Sequence, residues 1–322
     1  MKRIGLISIM PLMLVSIALS GTWVYEGKWG SQGTGDGQFQ NPAGITIASN
    51  GNVYVADRGN HRIQYFTSTG TFLGKWGSSG SGDGQFNYPN RITVAPNGNI
   101  YVADMYNNRI QYFTSTGTFL GKWGSGGSGD GQFQNPAGIT IASNGNVYVA
   151  DFGNHRVQYF TSTGTFLGKW GTQGSGDGQF YSPVGITIAL NGNVYVCEEG
   201  NHRIQYFTST GTFLGKWGSY GTGDGQFYNP EGITVTPDSN VYVADWSNCR
   251  IQYFTSTGTF LGKWGSKGSG NGQFNEPYDI SIGPNGKAYV TEWYNHRVQY
   301  FHYEQGQNIT PTSLGIVKAL FK

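Results

Sequence analysis

Residues 42–77 read PAGITIASNGNVYVADRGNHRIQYFTSTGTFLGKWG, and copies in register begin at Pro89, Pro136, Pro183, Pro230 and Pro277. Trp29, Trp76, Trp123, Trp170, Trp217 and Trp264 keep the same spacing of 47 residues, each inside GKWG. Within one copy GITIA and NVYVA are β-rich runs joined by a Ser-Asn-Gly-Asn turn, RIQYF follows a short polar loop, and TFLGKW follows Thr-Ser-Thr-Gly. Each copy therefore supplies four antiparallel strands, A to D. Four strands at a period in the forties predict an all-β, six-bladed β-propeller of four-stranded blades. Neighbouring blades cover both faces of each sheet, which accounts for the absence of charge in ITIA and VYVA.

The ends of the array predict how the ring closes. The last copy supplies strands A to C up to Phe301 without a GKWG, while TWVYEGKWG at 22–30 supplies a strand D with no blade before it. The N-terminal strand is expected to complete the sixth blade and so remove the exposed edges. Residues 22–303 are then the propeller and 304–322 a C-terminal tail.

Composition agrees with a closed β architecture: 53 Gly, 15% aromatic and only 12% charged residues suit short strands and tight turns. Residues 1–20 read as a signal peptide, with Lys2 and Arg3 before an apolar stretch and Ala18-Leu19-Ser20 as a small-residue cleavage site. An uncleaved anchor is the alternative, and a membrane is expected as a partner only through it. A secreted or cell-surface location follows. Loss of Lys2 and Arg3 takes the balance of 20 basic and 18 acidic groups to 18 against 18, and a neutral domain is a poor ligand for nucleic acid. Cys197 and Cys249 are the only cysteines; free thiols are expected, with a disulfide as the alternative.

The runs NVYVADRGNHRIQYF, IYVADMYNNRIQYF, VYVADFGNHRVQYF and VYVCEEGNHRIQYF, each preceded by P-x-G-I or a related segment, resemble the NHL repeat family from Gly27 to Phe301. The resemblance implies a six-bladed propeller that binds proteins, RNA or small ligands. A smaller related group, akin to the peptidyl-hydroxyglycine amidating lyases, uses the fold for metal-dependent catalysis. Its metal histidines occupy the x of P-x-G-I, where this chain has Ala43, Asn90, Ala137, Val184, Glu231 and Tyr278. With no imidazole there, no metal, no cofactor and no enzymatic role are expected.

Six acid–arginine pairs recur where strand B ends and strand C begins: Asp57 with Arg62, Asp104 with Arg109, Asp151 with Arg156, Glu198 with Arg203, Asp245 with Arg250 and Glu292 with Arg297. They are expected to be structural, each guanidinium binding its carboxylate through two hydrogen bonds across a hairpin. His61, His155, His202 and His296 share one slot and belong to separate blades, which argues against a metal site. Lys28, Lys75, Lys122, Lys169, Lys216 and Lys263 on the outer strands are expected to discourage edge-to-edge pairing. The GTGDGQF segments shape the connections between blades and lack the context of a phosphate or calcium loop.

Differences among the copies collect in the approach to strand A and in the B–C loop, which share one end of the ring. Arg58, Asn90, Arg91, Tyr106, Glu231, Trp246, Tyr278, Asp279, Trp293 and Tyr294 are the candidate ligand-binding residues, because large aromatics beside charges are the composition of an anchored interface. The expected function is an extracellular, monomeric binding or scaffold module for a protein, peptide or glycan. The alternative is a hydrolase or lyase at the central channel.

Overall fold

The computed structural model describes residues 21–305, so the signal-peptide reading and all of the tail beyond Gln305 lie outside the described residues. Two compact units are distinguished. One comprises residues 24–302 and holds the six sheets; in the other, the strand tips 21–23 and 303–305, the Trp23 and Tyr303 rings meet edge-on with centroids 5.4 Å apart.

Strand β1 is Thr22–Trp29, and blade 1 is β2–β5 (Pro42–Ile47, Val53–Asp57, Arg62–Phe66, Phe72–Trp76). Blade 2 is β6–β9 (Pro89–Val94, Ile100–Asp104, Arg109–Phe113, Phe119–Trp123) and blade 3 is β10–β13 (Pro136–Ile141, Val147–Asp151, Arg156–Phe160, Phe166–Trp170). Blade 4 is β14–β17 (Pro183–Ile188, Val194–Glu198, Arg203–Phe207, Phe213–Trp217) and blade 5 is β18–β21 (Pro230–Val235, Val241–Asp245, Arg250–Phe254, Phe260–Trp264). Blade 6 runs β22 (Pro277–Ile282), β23 (Ala288–Glu292) and β24 (Arg297–Glu304), with β1 as its outer strand in the order β1-β24-β23-β22. The closure read from the sequence is thus the closure observed.

Burial follows the position of each strand. The B strands are buried along their whole length, Val53–Asp57 among them, whereas the outer D strands alternate between half-buried and exposed. The cores lie between blades: Tyr54, Ala56 and Ile63 of blade 1 pack with Ile92, Ile100, Val102 and Phe113 of blade 2. Ile45, Val53, Val55 and Phe66 pack with Tyr289 and Val298 of blade 6. Tyrosine hydroxyls tie neighbours further, Tyr54 donating to the carbonyl of Ser115 at 3.0 Å, and Tyr289 closing the circle onto Ser68 at 3.1 Å.

The acid–arginine pairs are ion pairs of 2.5–2.8 Å, but their geometry differs from the two-point contact expected. Arg62 gives only Nε to Asp57; Nη1 donates to the carbonyl of Thr34, and Nη2 to those of Gly35 and Gln38. The guanidinium therefore fastens the connection between blades to the B–C hairpin. Asp57 is completed by the backbone N–H of Gln40 and the amides of Asn60 and Gln64, which is why a fully buried carboxylate is tolerated. Only the glutamate versions reach a second contact, at 3.4 Å from Nη2.

The outer lysines also do more than guard an edge. Lys75, Lys122, Lys169, Lys216 and Lys263 meet the aspartates of the GxGDGQF connections at 2.5–2.6 Å, and Lys28 donates to Asn271, the corresponding residue of blade 6. The histidines cap the short B–C turns in a left-handed conformation, φ +55° at His61. Nδ1 of each accepts a backbone N–H of the next blade, from Tyr88, Ser182, Asn229 and Asn41 for His61, His155, His202 and His296. Both cysteines are free and buried.

Arg156→Ala strands the buried carboxylate of Asp151 and is expected to cost about 3–5 kcal/mol, whereas Lys169→Ala breaks an exposed pair and should cost less than about 1 kcal/mol; urea unfolding of the two variants measures both. Deleting residues 24–29 uncovers β24 and should lower the thermal midpoint of the whole ring, and an unchanged midpoint would exclude the clasp.

Candidate functional site

Three rings of residues converge on the axis at the B–C end. The outermost is the first residue of each B–C loop: Arg58, Met105, Phe152, Glu199, Trp246 and Trp293. Beneath it lies the second residue of each A strand, with Asn90, Glu231 and Tyr278 as its polar members. Members of these two rings line a cup of about 180 Å³. Of the sequence candidates, Arg58, Asn90, Glu231, Trp246, Tyr278 and Trp293 line it. Tyr106 and Tyr294 are exposed outside it.

The third ring explains what closes the cup below. It is glycine in four blades because the A strands nearly touch: a Cβ on Gly138 would lie 2.1 Å from the carbonyl oxygen of Val184, and one on Gly185 2.2 Å from that of Glu231. The exceptions are Arg91 and Asp279. Arg91 crosses the axis from blade 2, donating through Nη2 to Glu231 of blade 5 at 3.3 Å and to the carbonyl of Tyr278 at 3.1 Å. Its Nε lies 3.8 Å from Asp279, and its guanidinium stands 4.4 Å from the Tyr278 ring centroid. Asp279 accepts the backbone N–H groups of Ile45 and Ile280, each at 3.0 Å. The Tyr278 hydroxyl donates to Asn90 at 2.8 Å.

Asn90, Arg91, Glu231, Tyr278 and Asp279 are thus buried partners of one another, at 2–7% exposure, where the sequence suggested a partner-facing surface. Convergence of six strands hides them. Below the cluster is a chamber of about 80 Å³ lined by Thr46, Thr93, Thr140, Thr187, Thr234 and Ser281 among others. A further cavity of about 480 Å³ lies at the opposite end, lined by Ile47, Val94, Ile141 and Ile188 among others.

Burial sets the charge state of the cluster. It pushes the Glu231 carboxyl up to about 8, against the pull of Arg91, and raises Asp279 as well, against the pull of Arg91 and of the two backbone N–H groups that Asp279 accepts. Burial also raises Tyr278 and Glu199. Sequence reasoning missed two contributors, Tyr88 and Thr291. Tyr88 lies 5.3 Å beneath the Arg58 guanidinium and Tyr106 5.9 Å from it. Thr291 donates to the carbonyl of Ala43 at 2.6 Å and accepts the N–H of Asp279 at 3.1 Å. Its signal was a column that reads Ala, Ala, Ala, Cys, Ala, Thr around the ring. Among the described residues no group of three or more His, Cys, Asp and Glu is placed to hold a metal ion.

The folded chain binds the Glu231 proton more tightly than an unfolded chain, whose glutamates titrate near ~4.3. That contribution to stability is complete at acid pH and is lost as pH rises through about 8. The thermal midpoint of the wild type should therefore fall more between pH 5 and pH 9 than that of Glu231→Gln, as differential scanning fluorimetry would show.

The NHL repeat model matches residues 39–66, 86–113, 133–160, 180–207, 227–254 and 274–301. A B-box type zinc finger protein, ncl-1 of Caenorhabditis elegans, is 43% identical over 49 residues, 15% of this chain and 6% of that protein. This chain thus matches only a small part of that relative's length. Among solved structures, a streptogramin B lyase superposes with a TM-score of 0.60 at 17% identity, covering 88% of this chain and 98% of the other. A Bacteroides thetaiotaomicron protein of unknown function gives 0.67 at 18% identity, covering 88% and 76%. The expectation that the chain has no enzymatic role is overturned: the same architecture serves a lyase. The missing imidazoles speak to one metal arrangement alone, and a protonated Glu231 beside Arg91 is a group that acid–base chemistry can use. Six matched repeats and six closed blades place this chain in the NHL repeat family.

Proposed function

We propose that this chain is an extracellular binding module that takes a protein or peptide partner on its B–C loop end and seats one partner side chain in the cup. One observation carries the reading. Blades that are otherwise near copies differ where their loops converge, and those differences build an aromatic surface. Tyr278 and Trp293 stack with centroids 5.0 Å apart, Trp246 meets Tyr278 edge-on at 6.3 Å, and Arg58 lies 4.9 Å over Trp293. Flat, rigid rings at the centre of a concave surface are the usual anchors of an interface. NHL propellers as a family serve protein interaction, and the leader-like first 20 residues favour work outside the cytoplasm. A second reading, acid–base catalysis at the floor of the cup, rests on Glu231 and predicts turnover of chromogenic esters that Glu231→Gln abolishes.

Peptides selected from a displayed library on the wild type test the main reading. Trp246→Ala and Trp293→Ala should each weaken binding by about 2 kcal/mol, while Thr67→Ala and Thr161→Ala at the opposite end should not. Equal affinity in all four variants would place the site elsewhere.

A further inference from the structure

Two charged groups in the cup have no ion-pair partner within 4.0 Å among the described residues. Every other arginine among the described residues is within 4.0 Å of a carboxylate: Arg91, which meets Glu231 and Asp279, and the six that meet their strand-B acids. Arg58 has none. Its guanidinium is held over Trp293 and Tyr88, its Nη2 reaches only the Met105 sulfur at 3.5 Å, and its Nε is buried without a hydrogen-bond partner. Aromatic faces fix its position and leave its hydrogen-bonding capacity unspent.

Glu199 is the second. It lines the same cup, and the one hydrogen bond to its carboxylate is a long one, 3.5 Å from the Asn229 amide. Arg58 belongs to blade 1 and Glu199 to blade 4. The innermost strands touch in the cyclic order β2, β6, β10, β14, β18, β22, so these blades stand opposite one another. The walls between the two charges are Met105 and Phe152 on one side and Trp246 and Trp293 on the other. A cation and an anion, neither in an ion pair, therefore face each other across a cup with apolar walls above Asn90, Glu231 and Tyr278.

A ligand of one sign would meet attraction at one wall and repulsion at the other, and an uncharged one would leave both groups desolvated without a partner. We infer that the cup binds a small zwitterion whose charges stand at opposite ends of an apolar body, as in an apolar dipeptide with free termini. Its carboxylate would take the guanidinium of Arg58, its ammonium the carboxylate of Glu199, and its side chains the faces of Trp246, Trp293 and Phe152. The inference rests on the B–C loop end being the binding end and narrows what enters it.

Titration calorimetry of the full chain with Leu-Leu, N-acetyl-Leu-Leu and Leu-Leu-amide tests it. Binding of Leu-Leu that falls at least tenfold on capping either end is the expected result. In Arg58→Gln the free dipeptide and its amide should bind alike, and in Glu199→Gln the free and acetylated dipeptides should bind alike, with thermal midpoints confirming that both variants are folded. No heat from Leu-Leu at millimolar concentration, or equal binding by the capped forms, would overturn the inference. Library peptides that still depend on Trp246 and Trp293 would then leave the broader reading standing, whereas loss of both would sink the two together.

Discussion

A single arginine in each blade holds together three pieces of backbone that have no other reason to meet. Arg62 is typical: its Nε binds the acid at the end of strand B while Nη1 and Nη2 collect carbonyls of the glycine-rich connection that enters the blade. Those connections carry almost no apolar side chains, so the hydrophobic effect gives them little order. The planar guanidinium supplies that order through several charge-assisted hydrogen bonds at fixed angles. Because the same acid and arginine bound the B–C turn, the clamp also sets where each loop begins. Arg58, Met105, Phe152, Glu199, Trp246 and Trp293 follow their acids directly, and six equivalent clamps deliver them to one mouth.

The repeat made most of the fold legible. A period of 47 residues, alternating apolar runs and an orphan strand at 22–30 specify the blades and their closure, since each is a local pattern repeated in register. The chemistry of the axis was less legible for a geometric reason. Arg91 and Glu231 are 140 residues apart and come together only because blades 2 and 5 face each other, which no local pattern encodes. A sequence places Arg91, Glu231 and Asp279 on the approach to strand A but does not show that six such approaches leave no room for solvent. The Lys75–Asp36 pair is of the same kind, joining the outer strand of a blade to the connection that enters it, 39 residues earlier.

Function was legible only in outline. The variation among copies pointed to an end of the ring that holds a cup lined by several of the varying residues. The exclusion of catalysis did not survive, because it argued from the absence of one set of ligands, and burial creates reactive groups that composition does not reveal. Glu231 looks like an ordinary surface acid in the sequence, and burial at the axis pushes its carboxyl up to about 8 even against the pull of Arg91.

The Arg91 crossing gives the ring a direction. A guanidinium reaching from blade 2 to blade 5 separates an upper well, the cup, from a lower one lined by threonines. Whatever occupies the upper well must leave by the opening through which it came, so the time it stays is governed by the loops around that one rim. The lower well, with its ring of threonine and serine side chains, can change its occupant without the upper one being displaced.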